Sequence, residues 1–253
     1  MKSLIINDTQ HYHSGSFVVN QKLKSLFKTE NILPNKYKPS DKELKEYDII
    51  ICNGEGTMHS NKARARHNIK ILQQAHLLGI KTALVNTVWQ DMNTNIDFID
   101  YVSVRETLSK KEMETNRTKQ IDINLDLSFY YDQSAMITQE NDIVYGADFE
   151  NNQIDIFKQS WDYIVNILKK SNLLITKRHH EMYAACKAHC PFIVFGGNTH
   201  KNHGLIKTFD SKIPILDDKQ ELEYYIKHYK DLHNEYNKLF QNMKQTSLNY
   251  NIQ

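Results

Sequence analysis

Short apolar runs alternate with amphipathic stretches along this chain, the pattern of βαβ units and a parallel sheet. The run Leu4-Ile5-Ile6 centres a first buried strand over 3–7, which leads into a polar loop at 8–16 and a helix over 17–28. A short strand over 31–33 stops at Pro34. Ser40 opens a helix, with Glu43 at the capping-box spacing three residues on. A strand over 48–52 is broken by Asn53-Gly54-Glu55-Gly56-Thr57. The helix that follows, from about 58, carries Ile69, Leu72, Ala75 and Leu78 on one face and closes at Gly79. Strands over 81–86, 101–104 and 121–125 and a helix over 106–115 complete the first half. The polar, aperiodic stretch 132–141 marks the boundary, so 1–131 is one expected domain and 132–253 a second, smaller one. The second half gives a strand over 142–147, a helix over 154–170, a strand over 172–176 and a helix over 180–189. Strands over 191–195 and 213–216 follow, then a long Lys/Glu/Tyr-rich helix over 219–244. This order predicts an α/β protein of two Rossmann-type domains, their mostly parallel sheets facing a cleft.

Composition narrows the classes. With 40% hydrophobic and 25% charged residues the 253-residue chain is that of a folded protein. The 32 Lys+Arg against 30 Asp+Glu leave +2, no basic field of the kind that nucleic acid requires. No apolar run is long enough to span a bilayer. The start, Met1-Lys2-Ser3 and then Leu4-Ile5-Ile6-Asn7-Asp8, is too short and too soon acidic for a signal peptide. Three unevenly spaced Cys fit reduced thiols, so the expected location is cytoplasmic. Tyr224, Tyr225, Tyr229 and Tyr236 among the lysines of the last helix leave peripheral contact at the inner membrane face open, but +2 argues against firm attachment. Packing of those rings on the core is the commoner use.

The candidate chemistry gathers at strand ends, where open α/β sheets bind ligands. Asn53, Gly54, Gly56 and Thr57 with Glu55 form a loop that either approaches a ligand or is a plain tight turn. Glu55 is placed to act as a base on a hydroxyl, or else it complements a helix dipole. Thr176-Lys177-Arg178-His179-His180 occupies the same topological position in the second half. It would hold phosphate or carboxylate and supply a proton, or be a solvated basic helix start. Only Arg64, Arg66, Arg105, Arg117 and Arg178 are arginines, the side chain best suited to paired bonds with an anion. Arg105 ends a strand, and the segment from Asn198 through Lys201 to Leu205 is dense in donors. His179, His180, His189, Cys186 and Cys190 lack the spacing of a zinc site, and no metal is expected.

In their order these motifs resemble the polysaccharide pyruvyl transferase family. The matching pieces begin with the loop from Asn7 through His13 and Ser14 to Gly15-Ser16, then Tyr47 to Ile51 before the Gly-rich loop. They continue with Val102-Ser103-Val104-Arg105-Glu106 and Ser109, then Asp126. Thr176 to His180 through Ala184, Pro191 to Val194, Lys201 and Gly204-Leu205 complete the set, so about 1–216 is covered. The resemblance implies a GT-B-like fold and transfer of pyruvate from phosphoenolpyruvate, a co-substrate rather than a cofactor, to a hydroxyl pair of a glycan or glycolipid precursor. It implies Arg178, Lys177, Arg105, Lys201 and Asn198 on the donor, His180 as the acid, and Asn7, His13, Ser14, Asn53, Gly54, Gly56 and Thr57 in acceptor-side loops. Departures are His179 where Leu is usual, His189-Cys190 before Pro191, Glu55 for a third Gly, and a shorter chain. Glu55 suits a glycosyltransferase base equally well, so a GT-B enzyme using a nucleotide-sugar donor is the alternative, and a catalytically silent relative the third reading.

Overall fold

Apolar triplets at Leu4-Ile5-Ile6, Ile49-Ile50-Ile51 and Ala83-Leu84-Val85 suit strands covered on both faces, as parallel sheets require. The structure, a computed structural model, describes residues 1–136 and 138–250. The chain forms two compact units, one of 1–9, 20–127 and 248–250, the other of 10–19 and 128–247. The sequence-based boundary at 131/132 lies near the 127/128 crossing, but two segments change sides. Residues 10–19 belong with the second unit, where Ser14 N–H donates to the Ile156 carbonyl at 2.8 Å. Residues 248–250 belong with the first, held by an amide clamp between Asn124 and Asn249 at 2.9 and 3.0 Å. Residues 137 and 251–253 of the expected second domain lie outside the described residues.

The first unit carries β1 (Ser3–Asp8), the later turns of α1 (Ser14–Phe27), β2 (Ile32–Pro34), α2 (Asp41–Leu44), β3 (Ile49–Glu55), α3 (Ala63–Leu77), β4 (Lys81–Thr87), β5 (Tyr101–Val104), α4 (Thr107–Met113) and β6 (Asp122–Ile123). Its sheet is parallel throughout, in the order β2-β1-β3-β4-β5-β6. The order reverses at β1 and β3, and the carboxyl ends of that pair are where such sheets take ligands. Ser40 and Glu43 do form the capping box of α2. Helix α3 starts at Ala63 rather than near 58. Ser60 and Asn61 hold left-handed backbone, and Ser60 N–H is drawn to the Gln90 carbonyl at 2.8 Å.

The second unit carries β7 (Asn141–Tyr145), α5 (Trp161–Leu168), β8 (Ser171–Thr176), α6 (His179–Ala188), β9 (Phe192–Phe195), α7 (Lys201–Thr208), β10 (Ile215–Leu216), α8 (Leu222–His228) and α9 (His233–Gln245). Its four strands, all parallel, follow the order β10-β9-β8-β7. The expected helix over 154–170 is shortened because Ile154 N–H bonds back to the Tyr145 carbonyl at 3.2 Å, leaving Ser160 to cap α5. The expected helix over 219–244 is broken at 229–232. Leu222, Tyr225 and Ile226 pack against the core cluster that includes Ile193 and Phe195, whereas Tyr236 lies edge-on against Phe192 and donates to its carbonyl at 2.5 Å. Alternate residues of one strand point to opposite faces, so one straight helix cannot serve both.

Candidate functional site

In the first unit, three neighbouring strands each end an apolar run with asparagine: Asn7 after Ile6, Asn53 after Cys52 and Asn86 after Val85. Asn7, Glu55 and Asn86 hold left-handed backbone at φ 68°, 53° for Asn86 and 36° for Glu55, a region that asparagine tolerates and glutamate seldom enters. The edge is a buried polar network. Asn7 Nδ2 donates to the Asn53 carbonyl and, at 3.2 Å, to Thr57 Oγ1, while Arg64 Nε donates to Asn7 Oδ1 at 2.8 Å. The Thr9 hydroxyl donates to the Glu55 carboxylate and accepts from Asn20 at 2.9 Å and Asn53 at 3.1 Å. Asn86 bonds Asn53 Oδ1 at 3.4 Å and accepts the Leu127 N–H at 3.1 Å.

This geometry corrects the reading of the Gly-rich loop. Glu55 ends β3 and is only 4% exposed; it does not start a helix, so the dipole explanation falls away. Gly54 is glycine because a Cβ there would run into the side chain and Cα of Thr87 on the adjacent strand, which is a packing demand rather than room for a ligand. Gly56, exposed, has nothing around it to meet.

Arg105 is also a correction. Its guanidinium is wholly buried in an ion pair with Asp126, so its charge is already partnered inside the protein. Its neighbours are structural in the same way: Glu106 caps α4, accepting from Leu108 N–H at 2.6 Å and Ser109 N–H at 2.9 Å. Burial of an ion pair tolerates no missing partner.

The second unit is built differently. Arg178, its only arginine, precedes α6 at the carboxyl end of β8. It is partly exposed, bonds Asp148 through Nη2 at 2.5 Å and lies over the Phe157 ring at 5.0 Å, while its Nε has no partner. Lys177 sits over the rings of Phe149 and Phe195 at 5.7 and 5.8 Å. Lys201, the first residue of α7, reaches Asn198 Oδ1 at 3.3 Å. His180 packs its ring 4.7 Å from that of His13. Gly15 makes this possible, since a Cβ there would lie 2.5 Å from His180 Cγ.

Behind Arg178 stands a residue that sequence reasoning missed. Glu181 is buried, accepts from the Thr176 hydroxyl and, at 3.1 Å, from Ala147 N–H. Thr176 Oγ1 in turn accepts the Arg178 N–H at 2.8 Å, so the carboxylate positions the backbone that carries the guanidinium. Burial raises Glu181 to about 7, with nearby Asp148 adding to the shift and its hydrogen bonds and Arg178 opposing it.

Of the five residues weighed for zinc, the four other than His180 are engaged in packing or hydrogen bonds. His179 Nδ1 faces Asn202 Oδ1 at 2.9 Å, and His189 closes α6 in the left-handed region, stacked on Phe240 at 5.5 Å. Cys186 and Cys190 are buried thiols, and burial pushes Cys190 up to about 12.

No protein-family model matches the chain and no curated protein matches its sequence. Among solved structures it is similar to the functionally uncharacterized protein KP1_0663 of Klebsiella pneumoniae, at TM-score 0.58 and 14% identity over 81% of this chain and 87% of that one. It is similar to a UDP-N-acetylglucosamine 2-epimerase at TM-score 0.56 and 11% identity over 95% and 90%. The UDP-GlcNAc 2-epimerase of Neisseria meningitidis, solved with UDP-GlcNAc bound, gives TM-score 0.55 and 10% identity over 94% of each chain. The fold is GT-B-like. Likeness at these identities is one of fold, and reaction and ligand need their own argument. Among the described residues no helix is long and apolar enough to cross a membrane.

Proposed function

We propose that this GT-B-like chain is a carbohydrate-active enzyme whose substrate is a nucleoside-diphosphate sugar, its diphosphate held by the second unit where β8 passes into α6. The carrying observation is Arg178: partly exposed, poised before a ten-residue helix, with Asp148 on one nitrogen and Nε unused. A guanidinium at a helix start combines fixed charge with unpaired backbone donors, which is what a phosphate needs. Lys177 and Lys201, at the ends of neighbouring strands' loops, add positive charge to the same sheet edge. His180, in the first turn of α6, brings to the same edge an imidazole, a group that can accept or donate a proton. Similarity in fold to an enzyme solved with UDP-GlcNAc supports this choice of ligand over others that the same cations would attract.

Pyruvyl transfer from phosphoenolpyruvate draws on the same cations, because that molecule also presents phosphate and carboxylate. A thermal-shift titration separates the two. UDP-, GDP- and CMP-sugars and phosphoenolpyruvate are each added to the wild-type protein and to Arg178→Ala. A ligand at a hundredfold excess over its Kd stabilises by about 2.7 kcal/mol. A shift with a nucleotide sugar that disappears in Arg178→Ala is the expected result. A shift with phosphoenolpyruvate alone transfers the assignment to pyruvyl transfer, and no shift with any of them overturns both.

A further inference from the structure

Among the described residues eight large hydrophobic side chains stay exposed, and three of them, Tyr12 at 49%, Phe17 at 46% and Phe157 at 52%, line one cavity of the second unit. The cavity measures about 390 Å³, in the range of small-ligand sites, and its wall is completed by Gln10 to Ser14 and Ile156 to Asp162. Three residues of this wall carry buried polar atoms with no partner: Ser14 Oγ, Trp161 Nε1 and Asp162 Oδ1. Trp161 is only 2% exposed, and a buried indole N–H without an acceptor is a costly arrangement for a protein to keep.

The chemistry of this set selects a ligand. The indole donates only, the carboxylate accepts only, and the serine does both, so together they match hydroxyl groups, which both donate and accept. An anion fits poorly. Asp162 is on the wall, and the lysine there, Lys158, is mostly exposed and paired with Asp155 at 3.0 Å. Both helix starts at the cavity have caps: the Ser16 N–H of α1 bonds His13 Nδ1 at 3.1 Å, and the Tyr163 N–H of α5 bonds Ser160 Oγ at 3.2 Å. What is left is aromatic surface with hydrogen-bonding groups of both kinds, suited to a ring that shows C–H bonds on its faces and hydroxyls at its edge.

We propose that this cavity binds a neutral pyranose ring of the enzyme's sugar substrate. Its place supports the assignment: Phe157 lies beneath the Arg178 guanidinium and edge-on to His13, 5.7 Å away, and His13 in turn lies against His180. One layer of rings therefore joins the cavity to the side chains assigned to the diphosphate and the proton. That the ring is part of the enzyme's substrate rests on the function proposed above; that the cavity takes a sugar does not.

The test uses the full chain and free monosaccharides, namely glucose, galactose, mannose and N-acetylglucosamine, with UDP titrated separately. Trp161 and Trp89 are the two tryptophans, so fluorescence reports on the cavity directly. Saturable quenching by at least one monosaccharide is expected, kept in Trp89→Phe, lost in Trp161→Phe, and weakened tenfold or more in Tyr12→Ala and Phe157→Ala, whose exposed rings can be removed without opening the core. Uridine and inorganic phosphate should not compete. No saturable response from any of the four sugars, quenching that survives in Trp161→Phe, or displacement by uridine or phosphate overturns the assignment. UDP binding without sugar binding discards the cavity and keeps the proposed function; sugar binding without UDP binding keeps the cavity and discards that function.

Discussion

The carboxyl edges of the two sheets are made from opposite materials. In the first unit the edge is amide and hydroxyl groups interlocked around the Glu55 carboxylate, joined by Arg64 and flanked by the buried Arg105–Asp126 pair. In the second it is cations resting on aromatic rings and partly exposed, with a buried carboxylate behind them. The first edge spends its polar groups on one another and fixes backbone at Asn7, Glu55 and Asn86 that would otherwise be strained. The second leaves charge within reach of solvent, where an arriving anion can compete with Asp148 for Arg178. A strand end thus becomes a structural joint or a binding edge according to whether its polar groups satisfy each other.

The contrast can be broken where it is strongest. Removing one member of the buried pair, by Arg105→Ala or Asp126→Ala, should cost about 3–5 kcal/mol in urea denaturation, because the other charge is left buried. A smaller loss would mean that this edge admits water and is less closed than described.

Glu181 gives the next largest effect, and its sign is fixed. Its carboxyl titrates at 4.5 when unfolded and at about 7 in the fold, so between these values the native state holds the extra proton. Stability should therefore fall as pH rises from about 4.5 to about 7, by about 3 kcal/mol from this group. Denaturation midpoints across that window check it, and Glu181→Gln should flatten the profile.

Thr9→Val should cost about 1–3 kcal/mol in the same assay, since it strands Glu55, Asn20 and Asn53 without the hydroxyl they share. Arg178→Ala should move stability least, by about 0–1 kcal/mol, because its ion pair is partly exposed. Yet it should abolish the nucleotide-sugar thermal shift. A large stability loss there would make Arg178 a joint like Arg105 and erase the distinction between the edges.

Much of this fold was legible because buried parallel strands are apolar runs with polar ends; β5 falls where the periodicity puts it, and Ser40 with Glu43 marks α2. The breaks were not legible. Nothing between Tyr229 and Leu232 is glycine or proline, and the last helix breaks there because its two halves cover opposite faces of β9. The site was half legible. Arg178 stands out by the scarcity of its type, but Arg105 does so equally, and only burial separates them. The repeated apolar-run-then-asparagine at 7, 53 and 86 was a signal in plain sight for the polar network. Thr9, Asn20 and Glu181 had none, since their partners lie in other elements. Tyr12 and Phe17 lie 140 residues or more before Phe157 and Trp161, too far for any spacing rule to join the two pairs.

The four crossings of the chain between the units set a timetable for synthesis. At roughly 5–20 residues per second, the first unit has its sixth strand well before its last hydrogen bonds are possible. Asn124 must wait for a partner 125 residues later, a delay of about 6–25 s at those rates. Ser14 likewise waits for Ile156. Until then the nascent protein carries a nearly finished sheet with an unsealed border and a stretch of helix assigned to a unit not yet made. A ribosome stalled in the second half should therefore present a first unit that opens more readily than it does in the finished protein.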